Sequence, residues 1–321
     1  MTKKGIWLAY ETTKEQVETV KKIAPNFELI KGWDENKEIE FPMENIEIIY
    51  GWKGQKSTEL LTKQNSNLKW IQGQAAGVDF LDLAALKKNN IFLTNGSGIH
   101  STPIAESVFG MLLAYTRGIQ EAIKNQRTHT WNQTESLMEI HGKTMMIVGT
   151  GKIGKEVGRM AKAFNMKTIG INSSGHKVAF MDETYAQEEL KAQAFRADIV
   201  VNILPLTKKT THFFNDELFN SFKNKALFLN VGRGPSVETS SLIRALDNGK
   251  LAFAGLDVFE KEPLKEESPL WNRDDVLITP HISGIAENFK KRLFAIFEEN
   301  LKAYVANEDL PLNVVDYEKN Y

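Results

Sequence analysis

The stretch from Thr144 to Gly154 reads TMMIVGTGKIG, and the rest of the chain is organised around it. A short apolar run ends in Gly149, Gly151 and Gly154, and apolar residues at helical spacing follow at once. This pattern predicts a buried strand that turns directly into a helix. In such a turn the first glycine permits the tight bend, the second lets the backbone approach a pyrophosphate, and the third lets the helix pack closely against the strand. Because the first N–H groups of a helix favour phosphate, the stretch predicts a dinucleotide-binding domain.

Composition narrows the class of protein. The 321 residues are enough for two domains of about 150 residues each. Since 40 Lys and Arg residues nearly balance 41 Asp and Glu residues, we expect neither a nucleic-acid nor a membrane partner. The lack of cysteine excludes disulfides, thiolate metal sites and a thiol nucleophile, and no metal site is expected. The first apolar run is too short for a signal peptide and no run reaches about 18 apolar residues, which predicts a soluble cytoplasmic protein.

Short apolar runs alternate with helical segments on both sides of the glycine-rich stretch. Before it, strands are predicted at Ile6–Tyr10, Phe27–Ile30, Ile46–Tyr50, Lys69–Gln72 and Ile91–Thr94. After it, strands are predicted at Lys167–Ile171, Asp198–Leu204, Ala226–Val231, Leu251–Asp257 and Asp275–Thr279. The later runs are continuous rather than alternating, as in a parallel sheet that is covered on both faces. The fold class expected is therefore α/β, with two doubly wound parallel-sheet domains.

The domain boundaries follow from composition and from the last helix. A Gly, Ser and Pro cluster begins at Asn95, and a helix is predicted from Pro103 to Gln126, capped by Ser101 or Thr102. The final segment, 285–304, carries an apolar stripe at helical spacing that need not belong to the domain it follows. We therefore expect a discontinuous substrate domain of residues 1–98 and 288–321. A dinucleotide-binding domain of residues 99–287 is inserted into it, and the two crossings are candidate hinges.

Three ionisable side chains follow the ends of three successive predicted strands. Arg233 lies in NVGRG, Glu262 in DVFEKEP and His281 in TPH. The carboxyl ends of parallel strands form the ligand crevice, so the three should converge near the glycine-rich turn. Taken singly, Arg233 could be a solvated turn residue, Glu262 a surface carboxylate and His281 an ordinary surface or core histidine. Together they predict an active site.

These motifs resemble the D-isomer-specific 2-hydroxyacid dehydrogenase family over nearly the whole chain. The resemblance rests on AAGVD at 75–79, NGSG to AES at 95–107, GTGKIG at 149–154, PLT at 205–207, NVGRG at 230–234, GLDVFEKEPL at 255–264 and TPHISG at 279–284. It implies a Rossmann cofactor domain inserted into a smaller, flavodoxin-like substrate domain. It also implies a homodimer built around the cofactor domain, with the long helix after Pro103 as the contact.

The resemblance also implies roles for individual residues. His281 is expected to be the acid/base, Glu262 its carboxylate partner and Arg233 the substrate anchor. The amides of Ala76 and Gly77 are expected to bind the substrate carboxylate. Cofactor contacts are implied for Gly149, Gly151, Lys152, Ile153, Gly154, Pro205, Thr210, Val231, Gly284 and Asp257, with Asp257 holding the nicotinamide carboxamide. The chemistry agrees, since reduction of a 2-keto acid needs a hydride and a proton, and a carboxylate beside His281 stabilises its protonated form.

The loop after the strand at 167–171 bears on the choice of dinucleotide. An NAD-binding domain of this type places Asp or Glu about 20 residues beyond the glycines, to accept from the ribose 2′-OH. Here the loop begins Asn172-Ser173-Ser174 and reaches Lys177 without an acid. A carboxylate about 4 Å from a 2′-phosphate would cost on the order of 4 kcal/mol per unit charge at an effective dielectric near 20. We therefore expect NADP, with these four residues as phosphate donors, while NAD and a loop without preference stay open.

The leading expectation is an enzyme that transfers a hydride between NADP(H) and a small 2-keto or D-2-hydroxy acid. Glyoxylate, hydroxypyruvate and longer 2-keto acids all remain open as substrates. One alternative is a phosphoglycerate dehydrogenase, whose second anion site would use Lys53 and Lys56. Another is a non-catalytic, dinucleotide-sensing binding protein on the same scaffold, although a sensor has no need of a proton donor.

Overall fold

The computed structural model describes residues 3–32, 41–52, 54, 57–59, 66–75, 78, 81–133 and 137–317. The chain divides into two compact units. One, the split unit, contains Met1–Ile99 and Ala286–Tyr321, and the other, the inserted unit, contains His100–Ile285. The division falls after residues 99 and 285, where the sequence placed the crossings after residues 98 and 287.

The described residues form these strands and helices. The strands are β1 (Lys4–Leu8), β2 (Phe27–Lys31), β3 (Ile46–Tyr50), β4 (Trp70–Gln72), β5 (Phe92–Thr94), β6 (Thr144–Val148), β7 (Lys167–Asn172), β8 (Glu183–Ala186), β9 (Ile199–Asn202), β10 (Ala226–Asn230), β11 (Leu251–Leu256) and β12 (Val276–Ile278). The helices are α1 (Lys14–Ile23), α2 (Leu83–Lys88), α3 (Ser101–Thr116), α4 (Ile119–Arg127), α5 (Lys152–Ala163), α6 (Leu190–Gln193), α7 (Asp216–Asn220), α8 (Thr239–Asp247) and α9 (Phe289–Val305).

The described residues of each unit form one sheet, and every strand pair in both sheets is parallel. The split unit has strand order β2-β1-β3-β4-β5, and the inserted unit has order β12-β11-β10-β9-β6-β7-β8. In the inserted unit the order reverses between β6 and β9, which is where ligands bind in doubly wound folds. The expected fold class of two doubly wound parallel-sheet domains is therefore confirmed.

The central strands of the inserted sheet are buried on both faces because most of their residues are apolar. Along β6, Met145 and Ile147 face one apolar cluster, which also contains α3 side chains, whereas Met146 and Val148 face the other. This alternation follows from the two-residue period of a strand. The second cluster is rich in phenylalanine. The glycine-rich turn is therefore fixed to a rigid sheet.

The last helix, α9, completes the core of the split unit. Phe297 is fully buried, with its ring centroid 4.6 Å from that of Tyr50 and 5.1 Å from that of Trp70. Tyr304, about two turns further along the helix, also stacks on Trp70, with ring centroids 5.7 Å apart. The apolar stripe in the sequence thus packs against strands that lie more than two hundred residues earlier.

Several sequence-based expectations differ from the structure. The single helix expected from Pro103 to Gln126 is two helices, α3 and α4, because Gly118 takes a left-handed conformation with φ of 66° between them. Ser101 and Thr102 lie inside α3 and do not cap it, since His100 occupies the N-cap position. The edge strand β8 was missed because its sequence, ETYA, has no apolar run. The strand predicted at 198–204 is shorter, Ile199–Asn202.

Over the described ranges, no helix has both the length and the apolar character needed to cross a membrane. Those same residues contain no group of three or more His, Asp or Glu side chains that could hold a metal ion.

Candidate active site

The glycine-rich turn joins β6 to α5 at the point where the strand order of the inserted sheet reverses. Gly149 has φ of 103°, and a Cβ there would lie 2.9 Å from the carbonyl oxygen of Ile203. A Cβ at Gly154 would lie 2.2 Å from the carbonyl oxygen of Gly149, so helix and strand approach too closely for a side chain. A Cβ at Gly151, in contrast, would meet nothing within 4 Å. Gly149 and Gly154 therefore serve the fold, whereas Gly151 leaves open space at the start of the helix.

The start of α5 is positively charged and uncapped by a side chain. Gly151 occupies the N-cap position, and no side-chain hydrogen bond caps the helix. Partial desolvation lowers the pKa of Lys152, and the charge of nearby Lys155 lowers it further. Because an anion would relieve this repulsion and accept from the helix N–H groups, the turn suits a pyrophosphate. Ile153, half-buried, packs against the inserted core.

The loop after β7 is arranged by Asn172, whose side chain is buried. Its Nδ2 donates to Thr150 Oγ1 (3.1 Å) and to the carbonyl oxygen of His176 (2.9 Å), and its Oδ1 accepts from Ser174 N (3.2 Å). Both amide hydrogens are thus used within the protein, so this side chain orders the loop rather than pointing donors outward. The side chains of Ser173, Ser174 and Lys177 are exposed.

Arg233 is carried by a loop that a buried polar network holds in place after β10. Asn202 Nδ2 donates to Asn230 Oδ1 (3.0 Å) and to Ser236 Oγ (2.7 Å). Ser236 Oγ in turn donates to the carbonyl oxygen of Arg233 (2.6 Å). The guanidinium is exposed, and its Nη1 donates to the carbonyl oxygen of Gly232 (2.8 Å). The backbone of Arg233 is therefore fixed while most of its fork of donors stays available.

The glycines on either side of Arg233 are required by close backbone contacts. A Cβ at Gly232 would lie 2.8 Å from the carbonyl oxygen of Leu204, and one at Gly234 would lie 1.8 Å from that of Phe259. Any side chain at Gly234 would push the loop away from the segment that follows β11. The NVGRG sequence is thus a consequence of packing between neighbouring loops at the carboxyl edge of the sheet.

His281 and Glu262 form a direct pair. His281 Nδ1 lies 2.7 Å from Glu262 Oε2, and Glu262 Oε1 accepts from Phe259 N (2.9 Å). Because an ionised carboxylate can only accept, Nδ1 carries the donated hydrogen and Nε2 is the atom left to exchange a proton. The histidine side chain is 52% exposed, so Nε2 is accessible to a ligand.

Asp257 holds the loop that presents His281. Its carboxylate is fully buried and accepts from Thr279 Oγ1 (2.6 Å), Ile282 N (3.0 Å), and both the backbone N and the Oγ of Ser283. The backbone N of His281 donates to the carbonyl oxygen of Asp257 (2.8 Å). His281 has φ of 54°, a conformation that costs a side-chain-bearing residue about 1–3 kcal/mol and persists only where neighbours enforce it. Asp257 supplies that enforcement.

The other expected cofactor contacts lie in the same edge loops. Thr210 is buried, and its Oγ1 donates to the carbonyl oxygen of exposed Pro205 (2.7 Å), so it shapes the PLT turn from inside. Val231 is buried beside Arg233, and the carbonyl oxygen of Gly284 lies 2.6 Å from His100 Nδ1. The expected substrate contacts Ala76 and Gly77, and the alternative anion site Lys53 and Lys56, lie outside the described residues.

Sequence reasoning missed the residues that support Arg233. Asn202, Asn230 and Ser236 are all buried, and none was singled out. The available signal was an asparagine that ends each of two apolar strands, in VVN and LFLN. A polar residue at the end of a buried strand must find a hydrogen-bond partner, and here the partners belong to the neighbouring loop.

A parallel-sheet unit with this glycine turn, and with Arg233, Glu262 and His281 on the loops after β10, β11 and β12, has the features of a dinucleotide-dependent oxidoreductase. Comparison with known proteins gives the family. The family profile described as D-isomer specific 2-hydroxyacid dehydrogenase, NAD binding domain, matches residues 109–283. The chain belongs to the D-isomer-specific 2-hydroxyacid dehydrogenases, and is an NAD(P)-dependent dehydrogenase or reductase of that family.

Three relatives illustrate the similarity. The chain is 34% identical over 251 residues to a glyoxylate reductase of Thermofilum pendens. The aligned region covers 76% of this chain and 74% of the relative. A phosphoglycerate dehydrogenase structure from Lactobacillus plantarum is 37% identical, with a TM-score of 0.59 and coverage of 97% and 100%. An NADPH-dependent glyoxylate/hydroxypyruvate reductase from Sinorhizobium meliloti, solved with NADP and sulfate, is 27% identical, with a TM-score of 0.75 and coverage of 99% and 100%.

The glycine turn yields a paired prediction. Gly154→Ala should lower the free energy of unfolding by about 1–3 kcal/mol or more, because its Cβ meets backbone that cannot move aside. Gly151→Ala should change stability by less than about 0.5 kcal/mol, because its Cβ meets nothing. It should nevertheless weaken dinucleotide binding by more than about 10-fold, since the methyl group occupies the space that a pyrophosphate needs. Urea unfolding and a fluorescence titration with NADPH measure the two effects. Equal stability losses in the two variants would contradict this division of roles.

Proposed function

We propose that this enzyme reduces small 2-keto acids to D-2-hydroxy acids with NADP(H), and that His281 donates the proton. The observation that carries the proposal is the 2.7 Å contact between His281 Nδ1 and Glu262 Oε2, which leaves Nε2 exposed as a proton donor. A protein that only senses a dinucleotide needs no such group. The similarity to a glyoxylate reductase and to a glyoxylate/hydroxypyruvate reductase supports substrates of this size.

The residues around the glycine turn fit a nicotinamide dinucleotide. The space in front of Gly151 and the uncapped, cationic start of α5 suit its pyrophosphate. When bound, the reduced cofactor supplies the hydride that reaches C2 of the keto acid. The Asp257 carboxylate already accepts several hydrogen bonds from residues 279–283. We therefore assign Asp257 the role of holding that loop in position, rather than a direct contact with the cofactor.

Arg233, Glu262 and His281 then have distinct tasks. The planar guanidinium of Arg233 can bind the substrate carboxylate in two-point fashion and polarise the ketone oxygen. His281 Nε2 gives its proton to that oxygen as it becomes a hydroxyl, and Glu262 stabilises the charged imidazole before the transfer and fixes its orientation. In the reverse direction Nε2 takes the proton back, so one histidine serves both directions.

The loop after β7 supports NADP as the preferred cofactor. It carries no acid from residue 172 to residue 177, and exposed Ser173, Ser174 and Lys177 can donate to a 2′-phosphate while Asn172 holds the loop in shape. NADP in the Sinorhizobium meliloti structure is consistent with this choice.

An alternative substrate and a homodimer are also part of this proposal. Phosphoglycerate dehydrogenase activity is the alternative favoured by the 37% identity to the Lactobacillus plantarum enzyme. A homodimer is the expected assembly, and we propose that its contact lies on α4 and the segment that follows it rather than on α3. Ile104 and Val108 of α3 are buried in the core of the inserted unit, whereas Ile119 (46%), Ile123 (49%) and Trp131 (90%) are exposed.

The function is tested by following NADPH oxidation with glyoxylate, hydroxypyruvate and longer 2-keto acids, and the reverse reaction with 3-phosphoglycerate. We expect reduction of at least one keto acid. His281→Ala should then lose about 100- to 10,000-fold in kcat while binding NADPH as well as the parent protein, because only proton transfer is removed. His141→Ala, at an exposed histidine outside the site, is the control. Unchanged turnover in His281→Ala, or a flat trace with every acid, would overturn the proposal.

Cofactor choice gives a separate prediction. The parent protein should have a higher kcat/KM with NADPH than with NADH. Ser173→Asp should shift that ratio toward NADH by about 10-fold or more, because the new carboxylate repels a 2′-phosphate and can accept from a 2′-OH. Ser173→Asn, which has the same shape without the charge, should change the ratio little. A parent preference for NADH, or equal shifts in the two variants, would contradict the assignment.

A further inference from the structure

A second histidine–carboxylate pair lies two residues upstream of Glu262 and has no part in the mechanism above. Glu260 Oε1 lies 2.7 Å from His212 Nε2. Glu260 Oε2 accepts from both the backbone N (3.1 Å) and the Oγ1 (2.7 Å) of Thr239. One carboxylate therefore joins three segments that are far apart in sequence.

Both hydrogen-bond partners of Glu260 are attached to the loop that carries Arg233, residues 231–238, called the Arg233 loop below. The backbone N of His212 donates to the carbonyl oxygen of Pro235 (2.9 Å), two residues after Arg233. Thr239 is the first residue of α8, which begins where the Arg233 loop ends. The N-cap residue of α8, Glu238, makes no side-chain capping bond, so Glu260 supplies the acceptor from another segment.

The other side of Glu260 leads to the proton donor. Its neighbour Phe259 donates its backbone N–H to Glu262 Oε1 (2.9 Å), and Glu262 Oε2 contacts His281. The carbonyl oxygen of Phe259 also lies so close to Gly234 that a Cβ there would be only 1.8 Å from it. A short turn of backbone thus lies against the Arg233 loop on one side and orients Glu262 on the other.

The charge of Glu260 suits this task. Burial by itself raises the pKa of Glu260, but the hydrogen bonds from Thr239 and then from His212 outweigh it and lower the pKa. The carboxylate is therefore ionised at neutral pH, where charge-assisted hydrogen bonds are about twice as strong as neutral ones. Its side chain is 29% exposed and borders a surface cavity of about 370 Å³, so truncation leaves no enclosed void.

We propose that Glu260 is a positioning residue that locks the Arg233 loop to the turn bearing Glu262, and so sets the spacing between substrate anchor and proton donor. His212 is its partner in this role. The inference rests on the proposed function for its kinetic consequence, but the effect on His281 itself does not require turnover. A capping role for Glu260 on α8 alone would affect stability without changing His281.

The test compares Glu260→Ala with Glu260→Gln and with Glu266→Ala, a control at an exposed carboxylate of the same segment. Glu260→Ala should lose about 10- to 100-fold in kcat/KM for the keto acid, because an anchor displaced by less than about 1 Å already misplaces the substrate. NADPH affinity should be unchanged. Glu260→Gln should retain an intermediate efficiency, since its side-chain oxygen still accepts from Thr239, and Glu266→Ala should match the parent. His212→Gln, which keeps a donor near the Nε2 position, should lose less than His212→Ala.

The second readout is the pair of ring nitrogen chemical shifts of His281, assigned among the six histidines by their loss in His281→Gln. In Glu260→Ala these shifts should move, reporting a changed contact with Glu262, and in Glu266→Ala they should not. A lower melting temperature with parent kinetics and parent His281 shifts would overturn the positioning role and leave only a helix cap. If the parent protein reduces none of the acids, the proposed function fails, and the His281 shifts alone decide whether Glu260 positions it.

Discussion

The carboxylate of Asp257 is fully buried, and hydrogen bonds from the loop after β12 offset the cost of burying its charge. The carboxylate and the loop therefore depend on each other. The buried charge needs the hydrogen bonds of the loop, and the loop takes its shape by donating them. Because His281 N donates to the carbonyl oxygen of the same residue, the histidine is held in a left-handed backbone conformation at the edge of the sheet. In this conformation the ring Nδ1 lies 2.7 Å from Glu262 Oε2.

The rest of the site is assembled from loops that touch backbone to backbone. Gly154 on Gly149, Gly232 on Leu204 and Gly234 on Phe259 are contacts too close for a Cβ. Such contacts fix loops more rigidly than side chains can, since backbone has no rotamers to adjust. The polar network of Asn202, Asn230 and Ser236, and the carboxylate of Glu260, then tie these loops to one another. The functional side chains project from this rigid edge.

Much of this could be predicted from the sequence, because the signals are local. The apolar runs locate every described strand except β8 to within a few residues, and Arg233, Glu262 and His281 stand out because they follow three of these strands. What could not be predicted depends on partners distant in sequence. Asn172 reads as a phosphate donor until its amide is seen bonded to Thr150 and His176. Periodicity predicts which side chains are buried, but not which of their hydrogen-bond donors and acceptors already have partners in the protein.

We propose that a reduced dinucleotide bound at this edge of the sheet gives its hydride to C2 of a 2-keto acid, whose carbonyl oxygen His281 protonates. The most direct measurement is a reduction of hydroxypyruvate or a longer 2-keto acid with NADPH deuterated at the transferred position. We expect a D-2-hydroxy acid in which the deuterium is bonded to C2. A product without deuterium at C2, or one of L configuration, would contradict it.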